Sequence, residues 1–261
     1  MRIALMFITN LYWLPYLLFK LFRLSNPKRS YTKEEKYAFL HHTVVGCNRG
    51  GRVKVDLKGL ENLPAQSGLT VTSDSGSEAV AAPGYIMYSN HQGLYDVLSL
   101  VQEIEAPFSV ISKIEVKDVF LLKNVLYLLG NEFMDRDDIR QSLKVIQTVA
   151  GRVKAGDNFC IFPEGTRSKN GNHVGEFKPG AFKAATMAKA PIVPVAMVDS
   201  FLPFDKKSIK KVTVHVRILP PIMPDEYAGM KTTEISEIVK GRIEETIAET
   251  LKELGRDINL E

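Results

Sequence analysis

The sequence contains only two cysteines in 261 residues, Cys47 and Cys160, and they lie far apart. Two distant cysteines predict neither a disulfide framework nor a zinc site, so we expect a reducing compartment and two buried thiols. Long apolar runs are also scarce. Residues 3–22 form the only one in the sequence. The composition, 45% hydrophobic and 25% charged, is otherwise that of an ordinary globular chain with a sizeable core.

Acidic residues are rare in the first part of the chain. Residues 1–60 contain eleven Lys and Arg side chains but three acidic ones, a local charge of +8, whereas the whole chain carries +4. A basic region can attract nucleic acid, but motifs that stack on bases or read a groove are missing. An anionic lipid surface is the better match, because each Lys or Arg near such a surface contributes roughly 1 kcal/mol.

The apolar run at 3–22 would form a helix of about 30 Å, long enough to cross a membrane. On a helical wheel Arg2 and Arg23 fall on one narrow polar face, and Pro15 would kink a straight span. We favour a helix embedded in one leaflet, with its cations reaching the headgroups. A spanning helix and a cleaved signal peptide are the alternatives, although no small-residue cleavage site follows the run.

A second helix is predicted at 32–48, so residues 1–50 are interpreted as a two-helix element that docks on the cytoplasmic face of a membrane. Residues 51–261 alternate strand and helix patterns. They predict a single α/β domain with a largely parallel mixed sheet flanked by helices. Strands are predicted at 53–57, 85–89, 108–112, 158–162, 191–198 and 212–218, and helices at 94–105, 114–129, 138–155, 179–190 and 233–254.

Two smaller features complete this outline. Residues 65–84 are small and polar, which is typical of a flexible surface loop. The strand at 212–218 alternates strictly, and His215 is expected to point outward from it.

The first candidate for chemistry is SNHQGLYD (89–96), where a buried strand ends and a helix begins. A bend at Gly93 would let the Asp96 carboxylate accept one imidazole N–H of His91, leaving the other nitrogen as a base. No Ser or Cys stands in an obvious nucleophile elbow, so this base would act directly on a bound hydroxyl. In the alternative, His91 only caps the helix and Asp96 sits favourably in its first turn.

The second candidate is FPEGTRS (162–168), which also follows a buried apolar strand. Gly165 would let backbone approach a ligand, Thr166 supplies a hydroxyl, and the fork of Arg167 suits phosphate. Glu164 could accept hydrogen bonds from a polyol or pair with that arginine. A plain turn with a salt bridge is the alternative.

A third stretch, FMDR (133–136), precedes the helix predicted at 138–155. Arg136 could face the same crevice as the other two motifs, or it could simply pair with the aspartates beside it.

Together these stretches resemble the glycerolipid acyltransferase family, and most closely its 1-acyl-glycerol-3-phosphate (lysophosphatidate) acyltransferases. The likeness covers roughly residues 53–200 and follows the order of the family's four motifs. The matching stretches are NHQGLYD (90–96), the run from Lys113 and Glu115 to FMDR (133–136), FPEGTRS (162–168) and IVPVAMV (192–198). The resemblance implies acyl transfer from a coenzyme A or acyl-carrier-protein thioester to the free hydroxyl of lysophosphatidic acid, without a metal or other cofactor.

The resemblance also implies roles for individual residues. His91 would be the general base and Asp96 the residue that orients it. Lys113 and Arg136 would contact the acceptor's phosphate. The glycerol-phosphate pocket would be lined by Glu164, Gly165, Thr166 and Arg167.

Other functions compete with this one. The acceptor could be glycerol-3-phosphate or another lysophospholipid, or the crevice could admit water and hydrolyse thioesters or lysolipids. Two arginines in a polar acceptor pocket argue against a hydrolase. A membrane-binding protein without activity is the third possibility, but it would have no need of both His91 and Asp96.

Overall fold

The apolar runs of the sequence form one central sheet. The structure, a computed structural model, describes residues 1–64 and 83–258. In those residues the strands are β1 Val53–Lys58, β2 Ile86–Ser89, β3 Phe108–Lys113, β4 Glu132–Met134, β5 Asn158–Ile161, β6 Ile192–Val198 and β7 Val212–Ile218. Their order across the sheet is β1-β7-β6-β2-β5-β3-β4. Only the β6–β7 pair is antiparallel among these strands.

Helices cover both faces of the sheet. They are α1 Arg2–Thr9, α2 Leu14–Leu24, α3 Lys33–Gly50, α4 Asp96–Glu103, α5 Leu122–Leu128, α6 Ile139–Lys154, α7 Lys183–Ala188, α8 Leu202–Asp205 and α9 Thr232–Glu253. Successive strand residues point to opposite faces, so β2 sends Met87 into one apolar core and Ile86 and Tyr88 into the other. Helices α1–α5 pack on the first face, and α6, α7 and α9 on the second. The predicted α/β domain with a largely parallel sheet is confirmed.

The segment predicted as one helix at 114–129 is the main departure in the body of the chain. It contains a short 3₁₀ turn at Ile114–Val116, a break, and then α5. Leu121, at the break, has a φ of 63°. The strand β4 was also not predicted, because its three residues are too few to show a period.

The N-terminal residues form three helices rather than the predicted two. The run at 3–22 breaks between α1 and α2, which meet at 99°. Arg2 is buried, donating hydrogen bonds of 3.1, 2.6 and 2.8 Å to the carbonyl oxygens of Pro203, Gly51 and Lys210, and burial lowers its pKa. The prediction that Arg2 reaches lipid headgroups is therefore wrong, because the bend removes the shared face on which it depended.

The same N-terminal helices belong to the core of the body. Met6 of α1, Leu21 of α2 and Tyr37 of α3 are buried in the apolar cluster that includes strands β1–β3. The Tyr37 hydroxyl also donates a 2.8 Å hydrogen bond to the carbonyl oxygen of Ile104. Among the described residues no single helix has the length and apolarity to cross a membrane, whereas α1 and α2 together meet both criteria as a bent pair. The division of the chain at residue 50 stays a prediction.

Two further expectations have different outcomes. The loop predicted at 65–84 lies, except for its last two residues, outside the described part of the chain. Of the two cysteines, which are both free thiols, Cys160 is fully buried and Cys47 is half-buried.

His215 is buried, contrary to the expectation, although it alternates with the core residues Val214 and Val216. It is 8% exposed and pairs in register with Asp56 of β1, whose Oδ2 lies 2.8 Å from the His215 Nδ1. The guanidinium of Arg217 donates to the same carboxylate oxygen at 2.8 Å. These two partners lower the pKa of Asp56 to about 2, His215 having the larger effect. Alternation alone could not show that Asp56 on the neighbouring strand and Arg217 on the same strand would form charged contacts on this face.

This cluster predicts a pH-dependent loss of stability on changing Asp56→Asn. A depressed carboxyl pKa contributes stability above the unfolded value, and that contribution disappears as pH falls from about 4 to 2. We expect the free energy of unfolding of the variant to be about 1 kcal/mol below that of wild type at pH 7. The expected loss is small because Asp56 is about a third exposed, so solvent screens its interactions. Urea unfolding at pH 7, 4 and 3 should show the difference shrinking. The control is Glu253→Gln, which removes an exposed ion pair with Lys58 and should change the free energy of unfolding little. A stability difference between Asp56→Asn and wild type that stays constant with pH would contradict this explanation.

Candidate active site

The candidate site lies at the carboxyl edge of the sheet, where three neighbouring parallel strands end. β2 stands between β6 and β5, and each strand is followed by a polar loop. His91 follows β2, Glu164 follows β5, and Ser200 follows β6. Since such edges leave room for ligands between diverging loops, the fold brings these residues together from distant parts of the chain.

His91 and Asp96 are in direct contact. The His91 Nδ1 lies 2.6 Å from the Asp96 Oδ2, and the Asp96 side chain is completely buried. Because the carboxylate can only accept here, the proton of the neutral imidazole is assigned to Nδ1. The Nε2 atom has no hydrogen-bond partner among residues 1–64 and 83–258, and the His91 side chain is 21% exposed. In the neutral ring this tautomer leaves Nε2 without a proton and without a hydrogen-bond partner among the described residues.

The buried Asp96 carboxylate is surrounded by donors. The backbone N–H of Gln92 donates to it at 2.8 Å, that of Gly93 at 3.1 Å, and the hydroxyl of Ser200 donates to its Oδ1. Asp96 is also the first residue of α4, where the helix dipole favours negative charge. Together these groups hold the carboxylate in one orientation, and with it the His91 ring.

Two amide side chains hold the loop between β2 and α4. Asn90 exchanges hydrogen bonds of 3.0 and 2.8 Å with the backbone of Met197 and so extends the β2–β6 pairing by one residue. Gln92 donates to the side chain of Asn172 at 2.9 Å and accepts from the Ser200 N–H at 2.8 Å. The bend that places His91 over Asp96 is therefore secured on both sides.

Residues that sequence reasoning missed complete this network. Asp199, with a φ of 63°, exchanges hydrogen bonds with Asn172 and accepts two from Arg256, which lies beyond the end of α9. These contacts fix the turn that presents the Ser200 hydroxyl to Asp96. Their position directly after the buried strand β6 is the sequence signal that could have drawn attention to Asp199 and Ser200.

The loop after β5 packs against His91. The ring of Phe162 stacks on the imidazole at 4.4 Å between centroids, and the Ser168 N–H donates to the His91 carbonyl oxygen at 2.9 Å. Glu164, only 4% exposed, accepts a 2.7 Å hydrogen bond from the His91 N–H and one of 3.1 Å from the Gly175 N–H. Burial raises the pKa of Glu164 in spite of these donors. In this structure Glu164 thus joins the two loops.

The rest of this loop is open to solvent. Gly165 has a left-handed φ of 71°, and the Lys178 side chain lies over it. Thr166 is exposed and Arg167 half-buried. The described residues provide no hydrogen bond or ion pair to the Arg167 guanidinium, so the predicted pairing with Glu164 is not formed. Lys178 and Arg167 both supply positive charge to this loop.

Lys113 and Arg136 lie at the same edge of the sheet but further along it. Lys113 ends β3 and Arg136 follows β4, which places them two and three strands from β2, about 10 and 14 Å. Lys113 forms an ion pair with Glu115 in which both side chains are about half exposed. Glu115 also attracts Arg136, although partial burial lowers the pKa of that arginine. An exposed pair of this kind is weak and can exchange for a ligand's phosphate.

The arrangement can accept a proton from a hydroxyl and bind an anion nearby. The Nε2 atom of His91 has the geometry required of a base, and the ends of β5, β3 and β4 supply cations on one side of it. The neighbouring hydroxyl of Ser200 is engaged by Asp96, and burial raises the pKa of the Cys160 thiol. Neither group is free to act as a nucleophile, so a base at Nε2 would have to act on the hydroxyl of a bound molecule.

Comparison with known proteins places these observations in context. Residues 54–198 match the Acyltransferase family. The chain is 29% identical over 189 residues to 1-acyl-sn-glycerol-3-phosphate acyltransferase of Salmonella typhimurium, covering 72% of this chain and 77% of that protein. It is 30% identical over 186 residues to the probable enzyme of the same name from Mycoplasma pneumoniae, covering 66% and 69% of the two chains.

A solved structure is similar over nearly the whole chain. The 1-acyl-sn-glycerophosphate (LPA) acyltransferase of Thermotoga maritima superposes with a TM-score of 0.64, covering 94% of this chain and 92% of that one. The identity is 21%, so this likeness concerns the fold.

The contact between Glu164 and Gly175 predicts a steric effect of Gly175→Ala. A Cβ at this position would lie 2.3 Å from the Glu164 Oε2, whereas one at Gly180 would meet nothing within 4 Å. Displacing the buried carboxylate should lower the free energy of unfolding by about 1–3 kcal/mol. The matched control Gly180→Ala should stay within about 1 kcal/mol of wild type. Urea unfolding measures both, and equal effects would show that Glu164 does not hold this loop.

Proposed function

The chain belongs to the acyltransferase family, and we propose that it transfers a fatty acyl group from an acyl thioester to the free hydroxyl of 1-acyl-sn-glycerol-3-phosphate, giving phosphatidic acid. The observation that carries the proposal is the free Nε2 of an Asp96-oriented imidazole beside a row of cations. The names of the relatives support the same acceptor. Phosphatidic acid would enter phospholipid biosynthesis.

The chemistry follows from the orientation of His91. Its Nε2 removes the proton of the acceptor hydroxyl as the oxygen attacks the thioester carbonyl carbon. Asp96 stabilises the imidazolium that forms. The tetrahedral intermediate then collapses, the C–S bond breaks, and the leaving thiolate takes up the proton. One ester is formed, one thioester is consumed, and no group of the enzyme is acylated.

The cations at the sheet edge would bind the acceptor. Arg136 and Lys113 are proposed to contact its phosphate, since a guanidinium fork and an ammonium suit this anion. Gly165, Thr166 and Arg167 are proposed to line the glycerol-phosphate side. Glu164 is proposed to line the same side of the pocket. Its hydrogen bond to the His91 N–H also supports a role in positioning His91. The proposed reaction uses no metal. Its acyl donor is a co-substrate, a thioester of coenzyme A or of acyl carrier protein.

The proposal also places the protein on the cytoplasmic face of a membrane. Helices α1 and α2 and the turn between them leave large apolar side chains exposed, and no acidic residue precedes Glu34. Aromatic side chains and cations on one surface are typical of proteins that lie in the interface with anionic lipid. The exposed set is Ile3, Phe7, Ile8, Leu11, Tyr12, Trp13, Tyr16, Phe19 and Phe22.

The direct test is product analysis with His91→Ala. Wild-type protein, offered a labelled acyl thioester with lysophosphatidic acid, glycerol-3-phosphate or other lysophospholipids, should give labelled phosphatidic acid by mass spectrometry. The variant should lose about 10²–10⁴-fold in rate, which is the usual contribution of a positioned base. His42→Ala, at an exposed histidine, is the control. Wild-type turnover by His91→Ala would refute the proposed base, and free fatty acid as the main product would indicate a hydrolase.

The hydroxyl of Ser200 should affect turnover through Asp96. Removing it in Ser200→Ala takes away one hydrogen bond to a buried charge and loosens the carboxylate that orients His91. We expect kcat to fall about tenfold while KM for both substrates is unchanged, because Ser200 contacts neither.

Ser99→Ala is the matched control for that variant. Ser99 is equally buried, but its hydroxyl donates at 2.6 Å to the backbone carbonyl of Asp96 rather than to the carboxylate. Equal losses of kcat in both variants would show that general packing, and not the orientation of Asp96, explains the effect.

A further inference from the structure

An exposed apolar tip lies between the end of β3 and α5. Phe120 is 73% exposed and Val119 46% exposed, although both belong to a segment with an otherwise apolar sequence. Directly after Phe120, the positive φ of Leu121 turns the chain into α5. A phenylalanine held so far into solvent gives up the stabilisation that burial would provide. We define Val119 and Phe120 as the β3–α5 tip.

The tip is attached to the N-terminal helices. The ring of Phe120 lies 6.4 Å from that of Phe22 on α2, measured between centroids. Close by, the Asn124 side chain donates a 2.6 Å hydrogen bond to the Ser25 hydroxyl at the end of α2. These contacts make the exposed apolar surface of α1 and α2 continuous with the tip.

The surroundings of this joint surface are basic. Four cations of this region, Lys20, Arg23, Lys28 and Arg29, have exposed or half-buried side chains, and no acid precedes Glu34. Lys117 and Lys123 flank the tip itself, with Asp118 as the acid between them. Aromatic and aliphatic side chains within a cationic surround fit an anionic lipid bilayer, whose headgroups attract the cations while its interface accepts the rings.

We propose that the β3–α5 tip is a second membrane-inserting element, which enters an anionic bilayer beside α1 and α2. This inference rests on the proposed membrane location of the enzyme. Its consequence concerns Lys113, which ends β3 only seven residues before Phe120. With the tip in the interface, Lys113 stands at the depth of the headgroups, where it can take the phosphate of a lysolipid that still lies in the bilayer.

The single tryptophan allows a sharp test. Trp13, 58% exposed on the turn between α1 and α2, reports on the N-terminal surface. The double variant Trp13→Phe/Phe120→Trp moves the reporter to the tip. Trp13→Phe/Met187→Trp is the control, because Met187 is exposed on α7, on the opposite face of the sheet. Each is mixed with phosphatidylglycerol–phosphatidylcholine vesicles that contain brominated acyl chains.

We expect a blue shift and quenching for wild type and for the Phe120→Trp variant, and neither for the control. Quenching of Trp13 without quenching at position 120 would overturn the inference and leave the proposed membrane location standing. Absence of quenching at both positions would overturn the membrane location too. Quenching in wild type and in both double variants would indicate non-specific adsorption and would likewise contradict insertion of the tip.

Activity provides an independent measurement. Phe120→Ser should weaken vesicle binding about tenfold, the loss expected for one large apolar side chain, and lower the rate with lysophosphatidic acid embedded in vesicles. The rate with a short-chain lysophosphatidic acid that stays monomeric in water should not change. Equal losses with both acceptors would show that Phe120 acts on the fold or on the site rather than on the bilayer.

Discussion

The organisation of this protein depends on one buried carboxylate. Asp96 has no exposed surface, and a buried charge is tolerated only where donors surround it. Backbone N–H groups from its own loop, the Ser200 hydroxyl and the His91 imidazole together supply them. Since these donors come from the ends of β2 and β6, satisfying the charge also fixes how the two loops meet. The orientation of the His91 ring is a result of that packing.

A second buried carboxylate links this centre to the other half of the site. Glu164 accepts from the backbone of His91 and of Gly175, so the loop after β5 is held against the loop after β2. In the rest of that loop Thr166 is exposed and Arg167 is half-buried. One motif thus contains both a residue that holds His91 and residues that are accessible to solvent.

Two arginines outside the matched family region, Arg2 and Arg256, attach other parts of the structure to the body of the protein. Arg2 ties α1 to carbonyl oxygens of the body, and the bend after α1 turns the remaining apolar side chains of this region toward solvent. Arg256, near the other end, holds Asp199 and so supports the turn that carries Ser200. The exposed apolar surface of α1 and α2 and the turn that carries Ser200 are therefore both attached to the body of the protein by arginines, of which Arg2 is buried and Arg256 is exposed.

The sequence by itself determined the class of fold, the buried strands and the three loops in which His91, Glu164 and Arg136 stand, because strand periods and loop motifs are short-range patterns. Only the tertiary structure decided which distant groups would meet. Ser200 and Asp96 are 104 positions apart and His215 and Asp56 are 159 apart, and no local pattern records either contact. The break at Leu121 was hidden because Val119 and Phe120 beside it are apolar although they are exposed, so no polar residue in the run marks the point where the chain turns. Contacts between side chains depend on which strands become neighbours, and that is settled by packing the whole chain.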